Sequence, residues 1–136
     1  MTQDPGLADD RWCFACGPHN PIGLRLDFEL DAAGALTATF VPRKEHQGYL
    51  GRVHGGLLGV FADELMVRLL YMLGVPAVSA ELKLRLHRPA PVGEPVRGRG
   101  WIAAQRGRIF ETAAELRGAD GELYASAEAR CVRVAR

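Results

Sequence analysis

Val53-His54-Gly55-Gly56, with Asp63 seven residues beyond the second glycine, is the stretch of this 136-residue chain whose residue types and spacing could do chemistry. Glycines at the start of a helix leave backbone N–H groups uncovered at the positive end of the helix dipole, where a ligand oxygen can reach them. Donors of that kind polarise a carbonyl. A carboxylate such as Asp63, set among apolar neighbours, either activates water as a general base or attacks the carbonyl carbon itself. His54, just before the glycines, can fix the turn by hydrogen bonding or add a donor of its own. A plainer reading also fits the spacing: the glycines make a tight turn and Asp63 is a hydrogen-bonded structural residue.

These groups need a helix to position them. The sequence predicts one from about Gly56 to about Leu73, since no proline interrupts it and Gly74 and Pro76 supply a stop. Its apolar residues go nearly all round, with Leu58, Phe61, Ala62, Leu65 and Leu69 on one side and Val60, Met66, Val67 and Leu70 on another. Only Glu64 and Arg68, spaced to pair, form a wet strip. A helix of this kind is surrounded by protein. At about 1.5 Å per residue, Asp63 lies roughly 10 Å along the axis from Gly56. One helix therefore cannot hold a carbonyl at its tip and attack it with its own Asp63. If both act on one substrate, the donors come from one copy and the carboxylate from another, which requires a dimer with antiparallel helices.

The rest of the chain reads as strands. Residues 25–30 and 35–41 alternate polar and apolar around the turn Asp31-Ala32-Ala33-Gly34, as a hairpin does. After the helix, Leu82, Leu84 and Leu86 fall on one face and Lys83, Arg85 and His87 on the other. Further strands are expected over 96–105, 108–116 and 122–134, joined by short turns. Two strands, one long buried helix and four more strands give an α+β class, a single antiparallel sheet curved around one helix. The sheet alone cannot enclose that helix, so a second copy of the chain is expected to complete the cover.

Composition sets further bounds. The chain is 48% hydrophobic and 24% charged, long enough for one core, and is expected to form a single domain over 12–136 behind a loose leader over 1–11. A net charge of +1 gives no global attraction to nucleic acid or to a membrane surface, so an anionic ligand must be recognised locally. The first ten residues carry Asp4, Asp9 and Asp10 and no apolar run, unlike a signal or transit peptide. No segment has the uncharged apolar length of a membrane span. Three cysteines without a secretion signal point to free thiols in a reducing cytoplasm. Cys13, Cys16 and His19 invite a zinc reading, but tetrahedral zinc takes four ligands and no second pair follows. Small cysteines in a loop packed by Trp12 and Phe14 are the simpler expectation, with no metal.

Val-His-Gly-Gly followed by Asp63 resembles the signature of hotdog-fold acyl-CoA thioesterases of the phenylacetate-pathway type, within the 4-hydroxybenzoyl-CoA thioesterase superfamily. The resemblance extends to Cys-x-x-Cys-Gly-x-x-Asn-Pro-x-Gly-Leu at 13–24 and to Arg88-Pro89 and Gly93-Glu94 after the helix. It implies a hotdog fold, sheets paired in a homodimer and often a dimer of dimers. It also implies roles: Asp63 as the catalytic carboxylate, Gly55 as the amide that binds the thioester oxygen, and Ser79 as a hydroxyl that positions the attacking water. One position departs from the pattern. Where the family often has Asn or Gln in the loop before the histidine, this chain has Gly48, leaving Gln47 or His46 to supply a polar group.

The expected reaction is hydrolysis of an acyl-CoA thioester to free acid and coenzyme A. A thiol of pKa near 8.5 leaves as thiolate without a strong acid. No cofactor is expected beyond the coenzyme A of the substrate. Gly56, Gln47, Gly48, Arg85, His87 and Arg88 are the expected substrate-binding residues; Lys83, Arg106 and Arg108 are further cations for phosphates. Solvated outer faces explain any one of these cations as well. Two rivals stand beside hydrolysis. A non-catalytic acyl-CoA-binding protein would lack an attacking group, and an enoyl-CoA hydratase or dehydratase would work His54 and Asp63 or Glu64 as a pair on one carbon.

Overall fold

A computed structural model describes residues 7–134. Residues 1–6, the larger part of the expected leader, lie outside that range. The elements run β1 (Glu29–Leu30), β2 (Leu36–Phe40), α1 (Gly55–Met72), β3 (Ala77–Leu86), β4 (Val96–Arg106), β5 (Ile109–Gly118) and β6 (Leu123–Arg133). The six strands form one antiparallel sheet in the order β1-β2-β4-β5-β6-β3, and α1 lies across it. Among the described residues no helix is long and apolar enough to cross a membrane.

The core sits between helix and sheet. Leu58, Phe61, Ala62, Leu65, Met66, Leu69 and Leu70 are the buried positions of α1. Phe110, Thr112, Ala114 and Leu116 face them from β5, alternating with half-buried neighbours as a half-covered strand must. Gly98 and Gly100 of β4 let the helix come close. A Cβ at Gly98 would stand 2.6 Å from the Leu65 Cδ1 and 2.8 Å from the tip of Phe61, and one at Gly100 would stand 3.0 Å from Leu65 Cβ. The absence of side chains there sets how deeply α1 beds into the sheet.

Three details differ from the sequence expectation. The first strand is only Glu29–Leu30, because Arg25 takes a left-handed φ of 55° and Leu24 and Leu26 donate instead to the Phe14 and Ala15 carbonyls of the preceding loop. Glu64 and Arg68 do not form a wet strip. Their side chains are 15% and 18% exposed, covered by that same loop and by Asp9, whose carboxylate lies 3.7 Å from Arg68. Trp12 and Phe14 do not pack the cysteine loop either; they are 54% and 40% exposed, while Ala15, Leu24 and Leu26 bury themselves beneath it.

Among the described residues, the remaining side of α1 is only partly covered. Val60, Asp63 and Val67 are half-buried there, and β3 beside them is an edge of the sheet. That edge is ten residues long and leaves Val78, Leu82 and Leu86 about half exposed.

Candidate active site

His54 ends the loop and caps the helix. Its φ of −61° and ψ of 129° are extended, and its Nδ1 accepts the Gly56 N–H at 3.0 Å. The imidazole therefore carries its proton on Nε2. The His54 N–H reaches the His46 carbonyl at 2.8 Å and the His54 carbonyl accepts from Leu57, so both sides of the turn are tied. Of the two glycines, Gly56 has its N–H committed to His54; the Gly55 N–H, at the first helical position, has no partner among the described residues. The oxyanion donor left open is Gly55, not both glycines.

Gly55 opens into a cavity of about 610 Å³ lined by Gly48, Tyr49, Arg52, His54, Leu58, Leu86, His87 and Arg88, among others. A Cβ at Gly55 would stand 2.7 Å from Leu86 Cδ1, so glycine keeps the floor of this cavity free. A Cβ at Gly48 would meet His54 Cα at 3.3 Å, which places that glycine directly over the capping residue. Each neighbour already accepts a bond from within its own loop. Gln47 Oε1 accepts from Gly51 N–H at 2.9 Å, and His46 is 5% exposed with Nδ1 accepting the Arg43 N–H at 2.8 Å. Burial, with Arg43 adding to it, holds His46 below its ordinary value of 6.5, against a smaller opposing pull from Glu45.

Cations gather at the rim. His87 Nε2 is 2.9 Å from Ser126 Oγ, and Arg88 pairs with Glu122 at 2.6 Å on an exposed surface. An exposed pair of this kind is worth about 0–1 kcal/mol, so Arg88 can exchange its partner for a phosphate. Arg52 brings a second guanidinium to the same cavity; its spacing from the glycines fits no binding motif, and the signal missed in the sequence was simply its place in the loop that the histidine closes. Arg85 is elsewhere. It lies with Lys83, Trp101, Glu115, Ser126 and Glu128 in a depression on the outer face of the sheet.

Asp63 is absent from the cavity at the helix tip, two turns away along α1. It is half-buried, and Ser79 Oγ donates to its Oδ1 at 2.6 Å. A β-bulge in β3 makes that contact. The pairing of β3 with β6 shifts register between Ser79 and Glu81, leaving Ala80 as the extra residue. Strict alternation would put Ser79 on the face of Lys83 and Arg85; one inserted residue turns it to the helix side, where Leu84 meets Gly59 and Leu86 meets Gly55. With Ser79 holding Oδ1, the second carboxylate oxygen is free to accept a proton from water. Within one copy of the chain, His54 and Asp63 do not converge on one point.

A six-stranded antiparallel sheet packed on one long helix is a hotdog fold. Comparison with known proteins agrees. The family model of the thioesterase superfamily matches residues 50–125, and the chain belongs to that superfamily. A solved thioesterase superfamily protein is 30% identical with a TM-score of 0.85, covering 90% of this chain, which spans 60% of that protein's length. A phenylacetic acid degradation-related protein from Ralstonia eutropha is 28% identical with a TM-score of 0.73, over 80% of this chain and 85% of the other. A hypothetical thioesterase from Streptococcus pneumoniae, solved with coenzyme A, shares the fold at 15% identity with a TM-score of 0.76, over 82% and 87% of the two chains. No curated protein matches this chain in sequence.

Proposed function

We propose that this chain is an acyl-CoA thioesterase that hydrolyses its substrate between two copies of itself. The observation that carries the proposal is the separation of two prepared groups on one helix. Gly55 presents an unpaired N–H at the tip, and Asp63 is held ready by Ser79 eight residues on, roughly 12 Å along the axis. A second copy, its helix antiparallel to the first, brings the Asp63 of one protomer to the Gly55 of the other. The partly covered side of α1 and the ten-residue apolar edge of β3 are the surfaces such a copy would cover, since a long unpaired edge otherwise invites indiscriminate pairing. A homodimer follows, and a dimer of dimers is compatible with the charged outer face.

In this reading the thioester carbonyl oxygen sits at the Gly55 N–H, where a donor of this kind contributes about 3 kcal/mol to the developing oxyanion. Asp63 takes the proton of a water that attacks the carbonyl carbon, or attacks directly to form an anhydride that water then cleaves. The C–S bond breaks and coenzyme A leaves as thiolate. The acid remains. His87, Arg88 and Arg52 line the same cavity and in this reading meet the phosphates of coenzyme A; the coenzyme A found with the fold-related Streptococcus pneumoniae protein supports that choice of leaving group. Arg85, on the other face of the sheet, is left out of this site.

The test is release of free thiol from a panel of short, long and aromatic acyl-CoAs, run beside the Asp63→Asn variant. Turnover by the parent and its loss in the variant support the proposal. Tight acyl-CoA binding with no turnover would favour a binding protein, and hydration of enoyl-CoA would favour the hydratase reading.

A further inference from the structure

The loop before β1 carries a second constellation, unrelated to the carbonyl chemistry. The Cys13 and Cys16 sulfurs and a Glu64 carboxylate oxygen all lie within 4.8 Å of one another. Glu64, brought in by α1, is the ligand that spacing in the sequence did not reveal; His19 is not among them. The distance from Cys13 Sγ to Glu64 Oε2 is 3.8 Å. Two ligands of one tetrahedral zinc, at Zn–S of about 2.3 Å and Zn–O of about 2.1 Å, stand roughly 3.6 Å apart. The thiol of Cys13 donates to Glu64 across this distance, and the same spacing suits two ligands sharing an ion once the thiol proton is lost.

Hydrogen-bond donors surround both sulfurs. Cys13 Sγ accepts the Ala15 N–H at 3.3 Å and the Cys16 N–H at 3.4 Å. The loop winds tightly enough that a Cβ at Gly17 would fall 2.3 Å from Cys13 N, so only glycine can follow Cys16. Arg68 Nη2 donates to Cys16 Sγ at 3.0 Å, and its Nε to Glu64 Oε2 at 3.4 Å. Such outer partners orient metal ligands and tune their charge. Two thiolates and a carboxylate, set against Arg68 and a divalent cation, sum to neutrality. A cavity of about 370 Å³, lined in part by Asp9, Asp10, Cys13, Glu64 and Arg68, gives an ion a way in past two further carboxylates.

We propose that Cys13, Cys16 and Glu64 bind one zinc ion, with a water in the fourth position, and that the ion fastens the 13–24 loop to α1. Two soft sulfurs and one oxygen select zinc over magnesium or calcium. On binding, each thiol gives its proton to solvent and the sulfur lone pair goes to the metal.

The experiment uses the full chain, purified reduced and without an affinity tag, loaded with zinc chloride or cobalt(II) chloride and dialysed. One zinc per chain is expected by elemental analysis, together with the near-ultraviolet sulfur-to-cobalt charge-transfer band of a thiolate site. Cys13→Ser and Cys16→Ser lose the band; Glu64→Gln, close to isosteric, keeps its fold and weakens zinc at least about tenfold. Cys131→Ser, whose sulfur is buried on β6, binds as the parent does. The proposal fails if reduced protein retains no zinc, if retention is indifferent to Glu64→Gln and Cys16→Ser, or if Cys13 and Cys16 are found as a disulfide that forms equally fast with zinc present.

Discussion

Ser79 Oγ and Asp63 Oδ1 are 2.6 Å apart, and this bond joins the edge strand β3 to the middle of α1 on the one side of the helix that the sheet leaves open. The hydroxyl fixes one carboxylate oxygen, and in the proposed reaction this decides which of the two meets water. Ser79→Ala should lower kcat roughly 10- to 100-fold, the worth of one hydrogen bond to a charged group, with KM little changed. Ser79→Thr, which keeps the hydroxyl, should retain most of the parent rate. A steady-state comparison of the two variants checks this; equal rates in parent and alanine variant would deny Ser79 its part.

Gly55 sits against Leu86, whose Cδ1 a new Cβ would meet at 2.7 Å. Gly55→Ala should therefore raise KM by crowding the cavity while leaving the N–H in place, and adding Leu86→Ala should recover much of the loss. The recovery marks contact, since changes at independent sites add. A thermal melt within a few degrees of the parent would show that the effect is not unfolding.

His46 links stability to pH. Its imidazole is buried and held neutral, with a folded value below the ordinary 6.5. Below 6.5 the unfolded chain takes up a proton that the folded chain refuses, so the contribution is full above 6.5 and is lost as pH falls through the folded value. Denaturant midpoints should drop from about pH 7.5 to about pH 5.5. His46→Asn, which keeps an acceptor for the Arg43 N–H but does not titrate, should flatten that part of the slope; an unchanged slope would place its origin elsewhere.

His54 is a cap. His54→Ala leaves the Gly56 N–H without its partner and should cost about 1 kcal/mol of stability, read from chemical denaturation, with kcat/KM falling because the Gly55 amide loses its fixed direction. His54→Asn, also a good capping residue, should return the stability.

Much of this was legible in the sequence, and the residues that were not share a cause. The helix, its stop at Gly74 and the polar–apolar alternation of β5 follow from periodicity, which reports burial along one element. Asp63 stood out because it interrupts an apolar run. Ser79 was reachable only through resemblance, since alternation from Leu82 puts it on the wrong face and the bulge at Ala80 leaves no mark in composition. Glu64 and Arg68 read as a wet strip because helical spacing says nothing of a loop distant in sequence that folds over them. Arg25 cut the first strand short through a backbone conformation for which arginine has no particular preference. Contacts between elements far apart along the chain are what one sequence read alone withholds.

The central claim is that each active centre takes Gly55 from one protomer and Asp63 from the other. In a Leu86→Ala background, which makes room for the ring, Gly55→Pro removes the N–H at the first helical position, where proline is well tolerated, and the extended His54 before it suits a proline. Gly55→Pro and Asp63→Asn should each lose at least roughly 100-fold in kcat as pure proteins. Unfolded together and refolded as an equal mixture, they should regain about a quarter of the parent's activity, because half the dimers are mixed and each of those carries one intact centre. A mixture that stays as inactive as its two components, with mixed dimers shown to be present, would contradict the account.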